Sequence, residues 1–415
     1  MTSSTRPDVN LSHYGRREVQ FGRSTTGSER PVELCGERRH VQLVKPEDFA
    51  DRTTLGISHG SVEKRFMALI IPAYNEELVL SHTVQTAIDA GMNASDIYIV
   101  DDASTDKTSE IARQLVGIYN VLTVRRRGKG GAITEIARDL KLTSRYEWIH
   151  VADADGEFDE NYFRELADNI DPNSVAATGY VSSLPGSYVS KYRTFEYAIG
   201  MDIVRRFQSL VGTITIIPGP TSVFRSDVFD KVNFKTGALC EDFDVTLQIH
   251  RNELGKIQFI PSAIVRTQDP GSLRDFVKQV TRWNRGVMQM LVAHKIGRKM
   301  SKVDAYLIYQ VYQSLSFVFV SFAMLPVLTI LTGNLAYIAV GMVTDIAVVF
   351  GSVLFAAMRT GRWDIIKSFP VTYGMRWLQL GIFLRSFIEV VMLQRFRSAS
   401  RGWETVARRA QTARL

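Results

Sequence analysis

Four short groups of acidic and aromatic residues stand in a fixed order along the chain, and their residue types could perform chemistry. They are Asp101-Asp102, Asp153-Ala154-Asp155, Glu241-Asp242 and Gln279-Val280-Thr281-Arg282-Trp283. Paired carboxylates can hold hard divalent cations such as Mg²⁺ or Mn²⁺, which prefer oxygen ligands and bridge phosphates. A carboxylate beside a hydroxyl group can act as a general base. Since four such groups in this order are hard to obtain by chance, we interpret the chain as an enzyme.

The elements that must position these groups begin at residue 66, where short apolar runs alternate with amphipathic stretches, as is typical of a strand-helix-strand sheet. Expected strands cover residues 66–71, 97–100, 121–124, 147–152 and 213–217, and expected helices cover 76–90, 132–140, 188–210 and a segment beginning near Asp242. In open α/β sheets, ligands bind beyond the carboxyl ends of the strands. Residues 101–102 and 153–155 directly follow two expected strands, so their position favours a function.

A basic, glycine-rich turn adds a possible anion site. Residues 127–131, Arg-Gly-Lys-Gly-Gly, precede an expected helix and could offer backbone N–H groups and cations to a diphosphate. The segment lacks the Ser or Thr that would follow Lys129 in a P-loop, which excludes an ATPase of that type. A solvated basic turn is the alternative.

Length, cysteine content and charge limit the class of protein. With 415 residues, the chain can hold a catalytic domain and a further part. Cys35 and Cys240 lie far apart, so we expect neither a disulfide framework nor a zinc site, and a reducing cytosolic setting fits. The net charge of +7 could indicate nucleic acid, but no stretch interleaves basic and aromatic residues as such a surface would. We therefore expect no nucleic-acid partner, and anionic lipids and a phosphorylated substrate account better for the charge.

The two ends of the chain differ from its middle. Residues 1–64 are polar and contain no apolar run that could serve as a signal peptide, so we expect them to stay on the side where they are made. Their composition favours a loosely docked extension, with short strands near Glu33 and Val41. The basic C-terminal tail, 397–415, favours a cytosolic location.

Two segments of membrane-spanning length lie in the last third of the chain. Residues 305–358 contain one charged residue, Asp345, and a Gly-Asn pair divides them into spans expected at 305–331 and 335–358. A buried core hairpin is the alternative. Basic residues follow directly, and by the positive-inside rule they place this end of the hairpin, and hence the catalytic domain, in the cytosol. They are Arg359, Arg362 and Lys367.

The apolar segment 370–396 carries several charges and leaves two arrangements open. It is either a third span, in which Arg385 and Glu389 pair one turn apart, or a helix that lies in the membrane interface. Because charges inside a membrane are costly, we favour the interfacial or partly inserted arrangement. The expected membrane part is then 301–396.

The segments Pro72-Ala73-Tyr74-Asn75-Glu76-Glu77 and Val100-Asp101-Asp102-Ala103-Ser104-Thr105-Asp106-Lys107-Thr108 resemble the nucleotide-binding half of glycosyltransferase family 2. The resemblance extends to about Val292 and implies an α/β domain of GT-A type, which is Rossmann-like, over residues 65–300, followed by transmembrane α-helices. In that family the first Asp of the pair accepts a hydrogen bond from uracil, and this role falls to Asp101, because an ionised carboxylate only accepts. The further implied nucleotide-binding residues are Pro72, Tyr74, Glu76, Lys129 and Asp153.

The same resemblance assigns roles to the other acidic groups. Residues 153–155 match the D-x-D pattern by which the family holds a divalent metal against the sugar diphosphate, so Asp153 and Asp155 are the implied ligands of Mg²⁺ or Mn²⁺. The segment that starts at Glu241 resembles the motif that supplies the catalytic base, which we assign to Asp242.

Structural roles are alternatives for several of these polar residues. Those that could cap a following helix are Asp102, Ser104, Thr105 and Asp106 for one helix, Glu157 and Asp159 for a second, and Glu241 and Asp244 for a third. Capping is the favoured role of Ser104 or Thr105, and helix initiation that of Glu157 and Asp159. The turn 219–222 is expected to shape the acceptor side.

Residues 279–283 form the Q-x-x-R-W signature of membrane-bound, polymerising members of the family. On a helix Gln279, Arg282 and Trp283 share one face, because three and four residues separate them. By the resemblance, Arg282 binds the diphosphate and the Trp283 ring supports the acceptor sugar. The alternative is an amphipathic helix at the membrane, with Trp283 as an interfacial anchor.

The resemblance implies an inverting, metal-dependent enzyme of the plasma membrane that uses a UDP-sugar, similar to chitin, hyaluronan, poly-N-acetylglucosamine and cellulose synthases. The acceptor is a glycan or a lipid, and membrane lipids are partners. Transfer of one sugar to a lipid, as in ceramide glucosyltransferase or polyprenyl-phosphate transferases, is the alternative, and the lack of an N-terminal span favours it. A non-catalytic scaffold predicts loss of the acids, all of which are present. With so few spans, a polymer channel requires a second copy or an accessory membrane subunit.

Overall fold

The computed structural model describes residues 64–235 and 237–394. The expected N-terminal extension, apart from its last residue, lies outside these residues, with the short strands expected near Glu33 and Val41. The basic tail 397–415 also lies outside them. The described part begins directly with the first strand of the sheet.

Eight strands in the described residues form one mixed sheet, in the order β3-β2-β1-β4-β7-β6-β8-β5. Their bounds are β1 Arg65–Ala73, β2 Ile97–Asp101, β3 Val121–Thr123, β4 Tyr146–Val151, β5 Gly156–Phe158, β6 Ser174–Ser183, β7 Ser222–Arg225 and β8 Lys256–Thr267.

The α-helices are α1 Leu80–Asp89, α2 Thr108–Val116, α3 Lys129–Asp139, α4 Leu142–Arg145, α5 Tyr162–Asn169, α6 Tyr188–Ile199, α7 Arg206–Val211, α8 Ser226–Phe229, α9 Glu241–Arg251, α10 Leu273–Ala293, α11 Lys302–Phe319, α12 Leu325–Thr332, α13 Ala336–Thr360 and α14 Phe369–Phe387. Three π-helical segments, Gly200–Arg205, Val320–Met324 and Ile388–Met392, continue the helices that precede them.

The parallel half of the sheet brings the acidic groups to one edge. Strand β1 lies between β2 and β4 and runs parallel to both, with Ala73 beside Asp101 and Ile70 beside Val151. Helices α1 and α2 pack on one face of these strands and α3 packs on the other. A strand that is covered on both faces is apolar throughout, which explains the unbroken buried run of β1.

The other half of the sheet returns the chain to the same edge. Strand β7 runs antiparallel to β4, with Ser222 opposite Val151. The turn Gly219–Thr221, which directly precedes β7, therefore lies beside the carboxyl end of β4. This is the end from which residues 153–155 continue.

The strand expected at residues 213–217 is wrong. The segment is extended, but within the described chain it belongs to no strand of the sheet. Side chains, rather than a neighbouring strand, form hydrogen bonds with its backbone groups. Arg205 donates to the carbonyl of Ile216 at 2.5 Å, and the N–H of Ile217 donates to Thr246 Oγ1 at 2.9 Å. The apolar alternation of 213–217 therefore reflects burial of an irregular segment rather than sheet pairing.

Helix initiation at Glu157 is also wrong. Glu157 lies in β5, beside Arg266 of β8, and α5 begins only at Tyr162. A strand of three residues is too short to show a period of two in the sequence. The expected helix 188–210 does occur, as α6 and α7 joined through the π-helical segment.

Two helices in the described residues are long and apolar enough to cross a membrane. They are Lys302–Thr332 and Ala336–Thr360, each with a mean hydropathy of 2.2 over its most apolar window. Only 6% and 11% of those windows are buried in the protein, so the alternative of a buried core hairpin is wrong. Asp345 in α13 is paired with Arg376 of α14 at 2.7 Å.

Buried contacts join the α/β domain to the apolar helices. Val303 of α11 packs with Phe243 of α9. Ala198 of α6 packs with Val353 and Ala356 of α13. Along α10, Phe276 shares a buried cluster with Met375 of α14. These contacts join the start of α11, the end of α13 and the length of α14 to the α/β domain.

Candidate active site

Four loops that follow parallel strands meet at one edge of the sheet. Tyr74 follows β1, Asp102 follows β2, Arg126 follows β3 and Asp153 follows β4. Because β1 to β4 run in the same direction, these residues lie on the side where ligands bind in open α/β sheets. The expected placement of the acidic groups at this edge is therefore confirmed.

The two adjacent acids after β2 hold loops in place. Asp101 is 1% exposed, and its Oδ1 accepts a hydrogen bond from the N–H of Ser104 at 2.9 Å. The Asp102 carboxylate accepts from the backbone N–H groups of Arg127 at 2.6 Å and Gly128 at 2.9 Å. Burial raises the pKa of Asp102, although these hydrogen bonds oppose the rise. Asp102 therefore fixes the turn between β3 and α3.

The expected helix cap at Ser104 or Thr105 is wrong. Ser104 Oγ accepts from the N–H of Asn75 at 3.0 Å, and the Thr105 N–H donates to Asn75 Oδ1 at 2.8 Å. Asp106 is the residue that accepts from the Thr108 N–H, at 3.0 Å, where α2 begins. The hydroxyl residues therefore join the loops after β1 and β2, and the Asp106 carboxylate accepts from the first N–H of α2.

Tyr74 and Glu76 lie in the loop after β1, next to Asp101. The guanidinium of Arg126 lies 4.0 Å from the centre of the Tyr74 ring and donates to its hydroxyl at 2.5 Å. Glu76 is 1% exposed, and its N–H donates to Thr108 Oγ1 at 2.8 Å. Pro72 is buried at the end of β1. Spacing alone does not single out Arg126, and the run of three arginines after β3 is the only sequence signal for it among residues 121–131.

Lys129 joins two of the acidic groups. Its Nζ lies 2.7 Å from Asp153 Oδ1 and 2.8 Å from Glu241 Oε1, and its side chain is 15% exposed. Burial alone would lower the pKa of Lys129, but the carboxylates of Asp153, Glu241 and Asp242 together raise it above its usual value. The interpretation as a solvated basic turn is therefore wrong for Lys129, which crosslinks the D-x-D segment and the start of α9.

The glycines around Lys129 are explained by close packing. A Cβ atom on Gly130 would lie 1.9 Å from the backbone oxygen of Phe234, and one on Gly131 would lie 2.6 Å from Cβ of Arg127. Two of the backbone N–H groups that the sequence offered to a diphosphate, those of residues 127 and 128, are bound to Asp102. The N–H groups that this turn can still offer to an anion are therefore those at the amino end of α3.

Gly219 lies directly against the Lys129–Asp153 pair. A Cβ atom at this position would lie 2.8 Å from Lys129 Nζ and 2.8 Å from Asp153 Oδ2. Both atoms are at the ends of flexible side chains, so an alanine could be accommodated by moving them. The turn 219–221 therefore limits where these two polar groups can lie.

Replacing Gly219 by Ala is expected to lower kcat/KM about tenfold or more while leaving the melting temperature almost unchanged, because displacements of about 1 Å at reacting groups are costly for catalysis. Steady-state kinetics and thermal unfolding of the full chain would test this. Gly200→Ala is the matched control, since a Cβ there meets nothing within 4 Å. Equal activity of the two variants would contradict the expected role of Gly219.

The D-x-D segment is held by α1. Thr83, which is fully buried, donates from Oγ1 to the carbonyl of Ala154 at 2.7 Å. Asp155 is 6% exposed. Glu157, two residues further on, pairs with His82 of the same helix at 3.1 Å. The position of the D-x-D segment is therefore set by a helix distant in sequence.

Asp242 lies in the first turn of α9, next to Glu241. Its Oδ1 accepts from the N–H of Phe243 at 2.8 Å. Burial, followed by the neighbouring charge of Glu241, raises the pKa of Asp242 to about 6, and Lys129 opposes the rise. A carboxylate with a pKa close to the working pH is suited to accept a proton from a substrate.

The pH dependence of turnover follows from this shift. Only ionised Asp242 can act as a base, so kcat/KM is expected to fall about tenfold per unit below pH 6 and to level off above it. Lys129→Met should move this acidic limb to higher pH, because the charge of Lys129 lowers the pKa of Asp242. Kinetics over a pH series would show this. A limb that stays in place in Lys129→Met would argue against Asp242 as the titrating group.

The rest of α9 is tied to α10. Asp244 is 4% exposed and lies 2.6 Å from Nε2 of His294, directly after α10. A Cβ atom on Gly286 of α10 would lie 2.4 Å from Cys240 Sγ. Asp244 is thus more than a helix-initiating acid, because it also fixes α9 against the end of α10.

The Q-x-x-R-W residues lie on α10, and two of them meet the same cation. Arg193 Nη2 donates to Gln279 Oε1 at 2.8 Å, and the Arg193 guanidinium lies 4.7 Å from the centre of the Trp283 ring. The carbonyl of Trp283 also accepts from the thiol of Cys240, next to Glu241. These contacts within the protein argue against Trp283 as a simple interfacial anchor.

Arg282 is exposed on α10. Burial raises the pKa of the Cys240 thiol, whereas the charges of Arg282 and Lys129 oppose the rise. The charge of Arg282 therefore acts on Cys240, the residue directly before α9. The structure thus brings the 279–283 and 241–242 groups together through Cys240, and the 241–242 and 153–155 groups together through Lys129.

Comparison with known proteins identifies the family. A family model described as Glycosyltransferase like family 2 matches residues 64–286, which is more than half of the chain. The chain belongs to this family. The resemblance read from residues 72–77 and 100–108 is confirmed, and the protein is a glycosyltransferase with a GT-A-like α/β domain.

Similar proteins include synthases of known product. This family 2 glycosyltransferase is 25% identical to a poly-beta-1,6-N-acetyl-D-glucosamine synthase of Staphylococcus epidermidis over 306 residues, which is 71% of this chain and 72% of the synthase. A synthase of the same name from Staphylococcus aureus strain COL is 25% identical over 230 residues, 54% of this chain and 55% of the relative.

Two solved structures are similar at low identity. The mannosyltransferase PcManGT from Pyrobaculum calidifontis, in complex with GDP-Man and Mn²⁺, matches with a TM-score of 0.46 and 16% identity over 73% of this chain and 89% of that chain. TarS from S. aureus, in complex with UDP-GlcNAc, matches with a TM-score of 0.41 and 15% identity over 80% of this chain and 93% of that chain.

Proposed function

We propose that this family 2 glycosyltransferase is a membrane-bound, inverting enzyme that moves a hexose or N-acetylhexosamine from a UDP-sugar to a growing polysaccharide. The observation that carries the proposal is the bridge from Lys129 to Asp153 and Glu241, because it joins the donor-side acids to the start of α9, where Asp242 lies. The similarity to poly-beta-1,6-N-acetyl-D-glucosamine synthases over 71% of the chain favours UDP-N-acetylglucosamine as donor; UDP-glucose is the other expected donor.

In this proposal the nucleotide lies at the ends of β1 and β2. Tyr74 and Asp101 take the uridine, with Pro72 and Glu76 shaping the loop that holds it. The diphosphate lies toward the amino end of α3, where the N–H groups of a helix favour an anion. Arg282, exposed on α10, supplies a solvent-accessible cation for the departing UDP.

Transfer then needs a base on the acceptor side. Asp242 accepts the proton of the acceptor hydroxyl as its oxygen forms a bond to the anomeric carbon. The bond between that carbon and the diphosphate oxygen breaks on the opposite face, so the configuration inverts and UDP leaves with the bonding electrons. Trp283 supports the acceptor sugar, and Gln279 lies beside it.

The residues fit a divalent metal that is shared with the substrate. Among the described residues, no group of three or more His, Cys, Asp and Glu side chains could hold a metal ion by itself. Mg²⁺ is commonly held by one or two carboxylates together with substrate phosphates, and the oxygens of Asp153 and Asp155 suit that mode. When bound, Mg²⁺ or Mn²⁺ would neutralise charge on the leaving diphosphate.

The proposed membrane topology is multi-pass, in the plasma membrane. Helices Lys302–Thr332 and Ala336–Thr360 cross the membrane and return the chain to the cytosol. Arg359, at the end of the second helix, pairs with Asp202 of the catalytic domain at 2.8 Å, which supports a position of that domain on the basic, cytosolic side. Helix α14 packs along α10, which favours an interfacial or partly inserted position. Residues 65–300 and 301–396 are then the catalytic and membrane parts.

One observation favours a lipid as the acceptor in place of a growing polysaccharide. Only two helices in the described residues are candidates for spans, so a polymer channel built from this chain would require another copy or an accessory subunit. Transfer of a single sugar to a lipid requires no channel. That activity is the alternative function.

The test is UDP release by the membrane-extracted full chain across a panel of UDP-sugars, with Mg²⁺ or Mn²⁺, followed by sizing of the product. A ladder of lengths from one donor supports the polysaccharide synthase and identifies its monomer. A lipid carrying one sugar supports the alternative. Release of no UDP from any donor, with glycan and lipid acceptors both supplied, would contradict the proposed function.

A further inference from the structure

A buried arginine lies at the centre of the contacts around the Q-x-x-R-W helix. Arg193 of α6 is 4% exposed. Its guanidinium lies between two rings of α10, 4.8 Å from the centre of Phe276 and 4.7 Å from the centre of Trp283. It also donates to Gln279 at 2.8 Å. One side chain therefore touches three consecutive turns of α10.

Stability alone is a poor explanation for this cation. Burying a guanidinium is costly, and a buried ion pair is weak evidence for stability. Within the described residues, Nε of Arg193 has no hydrogen-bond partner, so the cost is incompletely offset. Its planar shape, which stacks on rings and donates in a fixed direction, fits the task of orienting neighbours better than that of adding stability.

Arg193 is itself oriented from the side of α14. Glu196, one turn along α6, lies 2.9 Å from Arg193 Nη1. The other oxygen of Glu196 accepts from Gln379 of α14 at 2.5 Å. The contacts thus run from α14 through two residues of α6 to Gln279 and Trp283 of α10.

We propose that Arg193 is a positioning residue for transfer, which holds Gln279 and Trp283 in the geometry that the acceptor requires, and that Glu196 and Gln379 connect this geometry to α14. The proposal rests on the proposed function, because it uses the acceptor-side role of Trp283. In this proposal the geometry of the acceptor site depends on the position of α14.

The kinetic test compares Arg193→Met and Arg193→Lys in the full chain. Both should raise the acceptor KM or lower kcat by about tenfold or more, since small displacements at the reacting groups are costly. Affinity for UDP should change by less than about twofold. Arg193→Met is expected to lower the melting temperature, because it leaves Glu196 without its cation, whereas Arg193→Lys keeps the charge, so both variants are assayed well below their melting temperatures. Lys should fail to rescue, because an ammonium cannot stack and donate as a planar fork does.

The matched control is Lys191→Met on the same helix. Lys191 is paired with Asp364, outside α10 and α14, at 3.7 Å, so its loss should leave both KM values unchanged. Gln379→Ala should move the acceptor KM in the same direction as Arg193→Met. Unchanged kinetics in Arg193→Met would overturn the positioning role, and unchanged kinetics in Gln379→Ala would overturn the connection to α14.

A readout that needs no turnover separates this inference from the proposed function. Arg193→Met should alter tryptophan emission in the otherwise native chain but not in a Trp283→Phe background, because the cation lies over that ring. An emission change that persists without Trp283 would overturn the contact. If no donor gives turnover but the emission result holds, the proposed function fails and the contact stands.

Discussion

Replacing Asp242 by Asn is expected to lower kcat by about 10³-fold while leaving binding of UDP-sugar almost intact, because a general base contributes roughly 10²- to 10⁴-fold and the amide cannot accept the proton. Asn keeps the shape of Asp, so its oxygen can still accept from the N–H of Phe243. The decisive measurement is kcat by UDP release, together with donor affinity by calorimetry.

Asp168→Asn provides the control for Asp242→Asn. Asp168 is exposed and paired only loosely, at 3.6 Å, with Arg164 on the surface of α5, and such surface pairs contribute little. The kcat of the Asp168→Asn variant should equal that of the native chain. Turnover of Asp242→Asn within about threefold of native would remove Asp242 from the role of base.

Replacing Asp155 by Ala is expected to abolish the metal-dependent part of turnover, a loss of about 10²-fold or more. The reason is that a divalent cation would offset the charge of the departing diphosphate, and one of its two proposed protein ligands, Asp153 and Asp155, would then be missing. Titration of activity with Mn²⁺ would show this. Electron paramagnetic resonance, which measures binding of Mn²⁺ in the presence of UDP, gives a second readout.

Asp159→Ala is the matched control for the metal site. Asp159 lies four residues after Asp155 but is paired with Arg266 at 2.8 Å, at the start of the β5–α5 connection. Its loss should leave the response to metal unchanged. Full activity of Asp155→Ala would contradict the assignment of the D-x-D segment.

The local sequence pattern is enough to predict the strands that carry Asp101 and Asp153. Each of β1, β2 and β4 is a short, mostly apolar run that ends at or within two residues of polar side chains, and parallel strands bring their carboxyl ends to one edge. The sequence therefore placed Asp101 and Asp153 at the same edge. It failed for 213–217, because an irregular segment bound by Arg205 and Thr246 is as apolar as a strand.

Contacts between distant residues could not be predicted from spacing. Lys129 meets Glu241 across more than a hundred residues, and Arg193 meets Gln279 across 86. Nothing local marks Arg193, which lies in an ordinary amphipathic helix. Family resemblance gave roles to Gln279 and Trp283, but the residue that holds both of them became visible only once α6 and α10 were packed together.

The contacts of α13 with α6 and of α14 with α10 have a consequence for protein production. Cutting the chain after residue 300 to obtain a soluble enzyme would uncover Ala198 and Phe276, which these helices otherwise bury. Freshly exposed apolar surface of this kind promotes self-association. The shortest fragment that keeps these surfaces covered should therefore retain both α13 and α14.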